Sequence, residues 1–158
     1  MAVTSVKSTD ELKARVGSHL GYSRWHEVTQ HEVNSFAEAT EDYQWIHTDV
    51  ERAKTGPYGQ TIAQGYLTLS LAVPLLFEVL ALQGTDFVVN YGVNRVRFPT
   101  PVPVGGKIRL GAVLKQVEDV TGGVQTVVDA TFELEGSGKP PCVAEILFRF
   151  YLHEGDSL

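Results

Sequence analysis

The residues best able to do chemistry are Asp42 and His47, five positions apart in the stretch TEDYQWIHTD at 40–49. An imidazole titrates near neutrality, and a neighbouring carboxylate can orient the ring or share its proton, so the pair suits general acid-base catalysis. A continuous helix would set the two side chains about 140° apart around its axis. A helix that ends between them and folds back would bring both onto one small molecule. Trp45 and Ile46, two large apolar residues between the polar pair, imply that such a turn is partly buried. The same spacing also fits an acidic helix end followed by a solvent-exposed histidine, since two residues alone make a motif of low specificity.

A second candidate is Gly65 in TIAQGYLTLS, at the start of an apolar helical run. The first N–H groups of a helix have no partner within it, and a glycine among them lets an oxyanion approach the backbone. Gly65 equally permits tight packing of helix against sheet. Gln64 beside it and Asn94 on the following strand are candidates to position a substrate, by adjacency only. Arg95, Arg97, Lys107 and Arg109, with Lys54 earlier, form a basic set; their alternation also suits the solvated side of a strand pair, and that reading is favoured for any single one. His19, His26, His31 and His153 lack the i, i+4 spacing of a helical metal site, and no metal is expected. The chain carries no nucleophile elbow, no Walker loop and no dinucleotide fingerprint.

These residues need elements to hold them. Thr9, Asp10 and Glu11 supply a cap and an acidic first turn, predicting a helix within an N-terminal segment of about residues 1–20 that stops near Gly17. The stretch SRWHEVT reads as a strand. Thr29 and Glu32 have the spacing of a capping box, and Val33, Phe36, Ala37 and Thr40 give the helix that follows one apolar face, with Glu38 and Glu41 in water. KTGPYGQ at 54–60 is a loop. Thr61 to Leu82 reads as one buried helix, apolar nearly all round, bent or restarted by Pro74. After Gly84 the period changes to two. KIRLGAVL, VQTVVDATFEL and AEILFRFYL each set apolar residues on one face, and Gly122-Gly123 predicts a hairpin. Helices followed by half-polar strands predict an α+β domain, with a largely antiparallel sheet wrapped around the central helix, in one domain spanning 1–158.

A chain of 158 residues with 43% apolar content can bury a sizeable core. The net charge of -6 provides no basic field for nucleic acid. Cys142 is the sole cysteine, so no intramolecular disulfide forms, and a reducing cytoplasm suits the chain. The N-terminus lacks the apolar core of an export signal, and the most apolar stretch is too interrupted for a membrane span.

Asp42 to His47, the later Gly65 and the run RVRFPTPVPVGGKIRL together resemble the MaoC-like dehydratases, also called R-specific enoyl-CoA hydratases or hydratase 2, over most of the chain from about residue 20. The family motif has an aspartate, then asparagine and proline, a histidine five residues after the aspartate, and a later alanine. Asp42, His47 and Ala53 match it, while Gln44 and Trp45 stand where the family has asparagine and proline. The resemblance implies a hot-dog fold, a sheet wrapped around a long central helix. It implies that Asp42 and His47 jointly transfer protons and that the Gly65 N–H faces a thioester oxygen. The implied substrate is a trans-2-enoyl thioester of coenzyme A and the implied product an R-3-hydroxyacyl thioester, with no cofactor besides the CoA carried by the substrate. Arg95, Arg97 and Lys107 then become candidates for the CoA phosphates, and a homodimer is the family's usual assembly. A thioesterase or a non-catalytic acyl-binding subunit on the same fold are the alternatives; the first usually places a carboxylate on the central helix, where Glu78 comes late, and Gln44-Trp45 keeps the second open.

Overall fold

A computed structural model describes residues 3–153. Its framework is four long antiparallel strands: β5 (Thr85–Arg97), β6 (Lys107–Val120), β7 (Gly123–Leu134) and β8 (Val143–Leu152). Together with β2 (His19–Tyr22) they form a sheet in the order β2-β6-β7-β8-β5, and the two-residue strand β3 (His26–Glu27) also pairs with β6. The period-two reading holds in detail. Ile108, Leu110, Ala112 and Leu114 are buried, as are Val128, Ala130, Phe132, Ile146, Phe148 and Phe150, while Arg109, Asp129 and Glu145 alternate with them. Each large apolar side chain so buried contributes about 1.5–3 kcal/mol of transfer free energy. The hairpin between β6 and β7 turns at Gly122, whose φ of 79° is a left-handed value that favours glycine.

The inner face of this sheet packs on helices α5 (Gly65–Ser70) and α6 (Ala72–Phe77), the hot-dog arrangement that the resemblance implies. The central helix is shorter than the sequence predicts. Thr61–Gln64 is extended, because Ile62 bridges Pro103 and the Ala63 N–H donates to the Val102 carbonyl. Helix gives way after Phe77 to β4 (Leu80–Leu82), which pairs in parallel with β1 (Thr4–Val6). Pro74 accounts for the break at Leu71. It has no N–H to offer the Ser70 carbonyl, and Leu71 takes a ψ of -10°, away from the helical value of about -42°. The bonds Leu71 N–H to Leu67 and Leu75 N–H to Leu71 still link the two halves. Tyr66 and Phe77 are exposed, so the helix is not covered all round.

The N-terminal helix α1 occupies only Thr9–Ala14, capped by Ser8, with strands on either side of it. SRWHEVT contributes only the short β3. Helix α2 (Gln30–Thr40) starts at the predicted capping box, with both reciprocal bonds present, and buries Val33 and Ala37; Thr40 is exposed. Two single-turn helices follow, α3 (Trp45–Thr48) and α4 (Val50–Ala53). No helix among the described residues is long and apolar enough to cross a membrane.

Candidate active site

Helix α2 ends at Thr40, and the next residue, Glu41, adopts φ 60° and ψ 21°. This left-handed step reverses the chain, a conformation that costs a non-glycine residue about 1 kcal/mol. Three residues on, Gln44 caps α3, and the His47 N–H donates to the Gln44 carbonyl at 2.9 Å. The first helix has therefore ended before Asp42, and His47 belongs to a new turn. Their side chains converge, with 3.9 Å between His47 Nε2 and Asp42 Oδ2. That distance exceeds a direct hydrogen bond. An oxygen atom of water or of a substrate hydroxyl can sit at bonding distance from both.

The two groups are held differently. His47 is buried, and its Nδ1 lies 2.7 Å from the Ile62 carbonyl oxygen. A carbonyl only accepts, so Nδ1 carries the proton, and in the neutral ring Nε2 presents its lone pair towards Asp42. Asp42 is about a third exposed. The Gln44 side-chain amide donates to Asp42 Oδ1 at 3.0 Å, leaving Oδ2 for the histidine. Trp45 packs against Gly56, where a Cβ would come within 2.8 Å of the indole, and the Arg52 guanidinium lies 4.4 Å over its ring. The glutamine and tryptophan at the family's asparagine and proline positions thus both have work in the turn: one orients the acid, the other anchors the loop that carries Tyr58.

His47 and Gly65 line one cavity of about 250 Å³, together with Tyr58, Thr68, Phe98 and Thr100. Asp42 stands beside His47 rather than on the cavity wall. Gly65 is the first residue of α5, and among the described residues no group accepts a hydrogen bond from its N–H. Its need for glycine is steric. A Cβ there would lie 2.9 Å from two atoms of the Phe98 ring, which also packs edge-on against Tyr66.

The other sequence candidates lie apart from this cavity. The Gln64 amide donates to the Val33 carbonyl of α2 at 3.1 Å and is buried, tying the start of α5 to α2. Asn94 donates to Glu145 on β8. Arg95 stands opposite Glu145 in the strand register and lines a separate hollow with Lys115 and Asp129. Lys107 is 4.0 Å from Glu135, Arg109 is bonded to Glu133 and stacked on Tyr22 and Trp25, and Lys54 is paired with Glu51. Arg97 ends β5 next to Phe98 and donates to the Val96 carbonyl. Phe98, Thr100 and Tyr58 escaped the sequence reading; the proline-punctuated run FPTPVP, which forces extended backbone around Phe98 and Thr100, was the available signal. Among the described residues no group of three His, Cys, Asp or Glu side chains could hold a metal ion.

Comparison with known proteins places this geometry in context. Residues 11–135 match the model of the MaoC like domain family. The chain is 49% identical over 145 residues to 3-hydroxyacyl-thioester dehydratase Z of Mycobacterium tuberculosis, covering 91% of this chain and 96% of that one. It is 36% identical over 140 residues to nodulation protein N of Rhizobium leguminosarum, covering 87% of each. Among solved structures, the R-hydratase PhaJ1 from Pseudomonas aeruginosa superposes with a TM-score of 0.73 at 20% identity, covering 92% of this chain and 86% of that one. The (R)-hydratase from A. caviae gives 0.69 at 21% identity over 85% and 96%.

Proposed function

The chain belongs to the MaoC-like dehydratase family, and on that premise we propose that it is a lyase that hydrates trans-2-enoyl-CoA thioesters to R-3-hydroxyacyl-CoA and catalyses the reverse dehydration. The observation that carries the reading is that His47, 3.9 Å from Asp42, and Gly65, whose N–H has no acceptor among the described residues, line one cavity. In hydration, water held between His47 Nε2 and Asp42 Oδ2 gives its oxygen to the β-carbon as the dyad takes a proton. Negative charge moves onto the thioester oxygen as an enolate, and the Gly65 N–H donates to it. The dyad returns the proton to the α-carbon. Acid and base roles are assigned to the pair jointly. Dehydration runs the same steps in reverse. Of the basic candidates for the CoA phosphates, Arg97 is the nearest in sequence to a cavity-lining residue, Phe98.

The assay is loss of the conjugated absorbance of crotonyl-CoA. Asp42→Asn and His47→Gln are each expected to lower the rate by about two to four orders of magnitude with unfolding midpoints retained. Unchanged rates in both variants would sink the dyad assignment, and thioester binding without turnover in the parent would favour a non-catalytic acyl-binding subunit. A thioesterase reading fits less well. Glu78, at the C-terminal end of the central helix, accepts from the Arg24 side chain at 2.7 Å and from its backbone N–H at 3.0 Å.

The same proposal includes a homodimer. Strand β5, thirteen residues long, pairs only with β8 among the described residues and exposes Phe87, Val89, Tyr91 and Val93. A long apolar edge of this kind is a template for pairing with a second copy. Sedimentation of the parent as a dimer, and of Val89→Lys as a monomer, is the expected outcome.

A further inference from the structure

We propose that Gln30 is a positioning residue for the reaction, its side chain bracing the backbone on both sides of the His47 ring. The inference rests on His47 as a proton-transfer residue. His47 is oriented by the Ile62 carbonyl, so the ring is only as fixed as the distance between its own backbone and residue 62. One direct tie holds that distance, the Ile62 N–H donating to the Ile46 carbonyl at 3.0 Å. Gln30 supplies a second. Its Nε2 donates to the His47 carbonyl at 2.7 Å, and its Oε1 accepts from the Thr61 hydroxyl at 2.6 Å. The remaining Nε2 proton goes to Asn34 Oδ1 at 2.9 Å. Both donors and the acceptor of the amide are therefore engaged.

The placement of this amide matters. Gln30 is the first residue of α2, whose far end turns into Asp42; His47 lies on α3; Thr61 opens the extended segment leading through Ile62 to Gly65. One side chain thus joins the three pieces of chain that supply the acid, the imidazole and the thioester-facing N–H. Thr61 is buried and Gln30 half-buried, so water competes poorly for these bonds. No apolar residue at position 30 would do the same, because the brace needs a donor and an acceptor on one planar group. Displacement of a catalytic group by about 1 Å costs as much as a hundredfold in rate.

The test uses Gln30→Met, which keeps the length of the side chain and loses its bonds, and Thr61→Val, with Thr61→Ser as the conservative control. Gln30→Met and Thr61→Val are expected to lower kcat for crotonyl-CoA by about ten- to a hundredfold with KM within about twofold. Their combination should do little further harm, since both cut one linkage, and Thr61→Ser should restore most of the rate. A second readout does not depend on turnover. In the parent, the His47 Nδ1 proton should appear by NMR as a slowly exchanging resonance, and in Gln30→Met and Thr61→Val it should exchange about tenfold faster or vanish, as expected when a buried hydrogen bond loosens. Folded variants with parental kcat and parental exchange would overturn the proposal. A parent that turns over no thioester would defeat the proposed function, while the exchange comparison still decides the brace.

Discussion

Gln44 Nε2 and Asp42 Oδ1 lie 3.0 Å apart, so one of the two residues that depart from the family motif is the one that orients the Asp42 carboxylate. The remaining carboxylate oxygen is thereby directed at His47. Loss of this amide should lower kcat more than it raises KM. Gln44→Ala is expected to cost about tenfold in kcat, in line with one lost orienting hydrogen bond to a charged group, and Gln44→Asn to recover part of it. Steady-state kinetics on crotonyl-CoA decide the matter; equal kcat in Gln44→Ala and parent would show that Asp42 needs no such support.

Gly65 and Phe98 make a second, steric pair. Gly65→Ala should lower activity by at least about tenfold, because overpacking here must move the aromatic ring that walls the cavity. If the clash is the cause, Phe98→Ala placed on top of Gly65→Ala should recover activity, a coupling that a double-mutant cycle measures directly. An additive double variant would mean that the methyl group acts on the Gly65 N–H instead.

Stability should depend on pH through Glu32. Burial disfavours its charge, but hydrogen bonds from the Thr29 N–H and hydroxyl and the pairing with His26 outweigh that penalty and hold its pKa below 4.5. A depressed carboxyl stabilises the fold fully above its unfolded value and loses the contribution as pH falls through its folded value. Urea midpoints should therefore decline on the acid side of 4.5, and Glu32→Gln should flatten part of that decline while lowering stability at neutral pH.

Cys142 should be chemically silent in the folded protein. It is fully buried, and burial pushes its thiol up to about 12, so the reactive thiolate is scarce at ordinary pH. A thiol reagent at about pH 8 is expected to leave the native chain unmodified and to label it once after denaturation. Fast native labelling would mean that the β7–β8 connection opens readily.

What the sequence made legible was local or periodic. The Thr29–Glu32 box and the alternation of β6, β7 and β8 rest on neighbours within a few residues, where backbone chemistry speaks directly, whereas the helix end near Asp42 was left open by spacing alone. Leu80 and Leu82 were read as helix because an apolar run fits either period; their strand exists through pairing with Thr4–Val6 from the other end of the chain. Gln44 was visible as a departure from a motif, but its value lies in a hydrogen bond that no spacing rule encodes. Gln30 and Phe98 reach the site through contacts with residues far away in sequence; the prolines beside Phe98 marked its backbone as extended but not the residue it packs on, and nothing beside Gln30 pointed to its partners.

Because only four residues separate them, Asp42 and His47 meet across a very short loop, and closing such a loop costs little entropy. The opposite wall of the cavity arrives from distant parts of the chain, through Phe98, Thr100 and Pro141. Local loosening therefore releases the wall before it separates acid from imidazole. A warmed molecule should keep a competent proton shuttle with little left to hold a substrate over it, so inactivation should begin as a rise in KM at temperatures below the melting transition, with kcat the last property to fail.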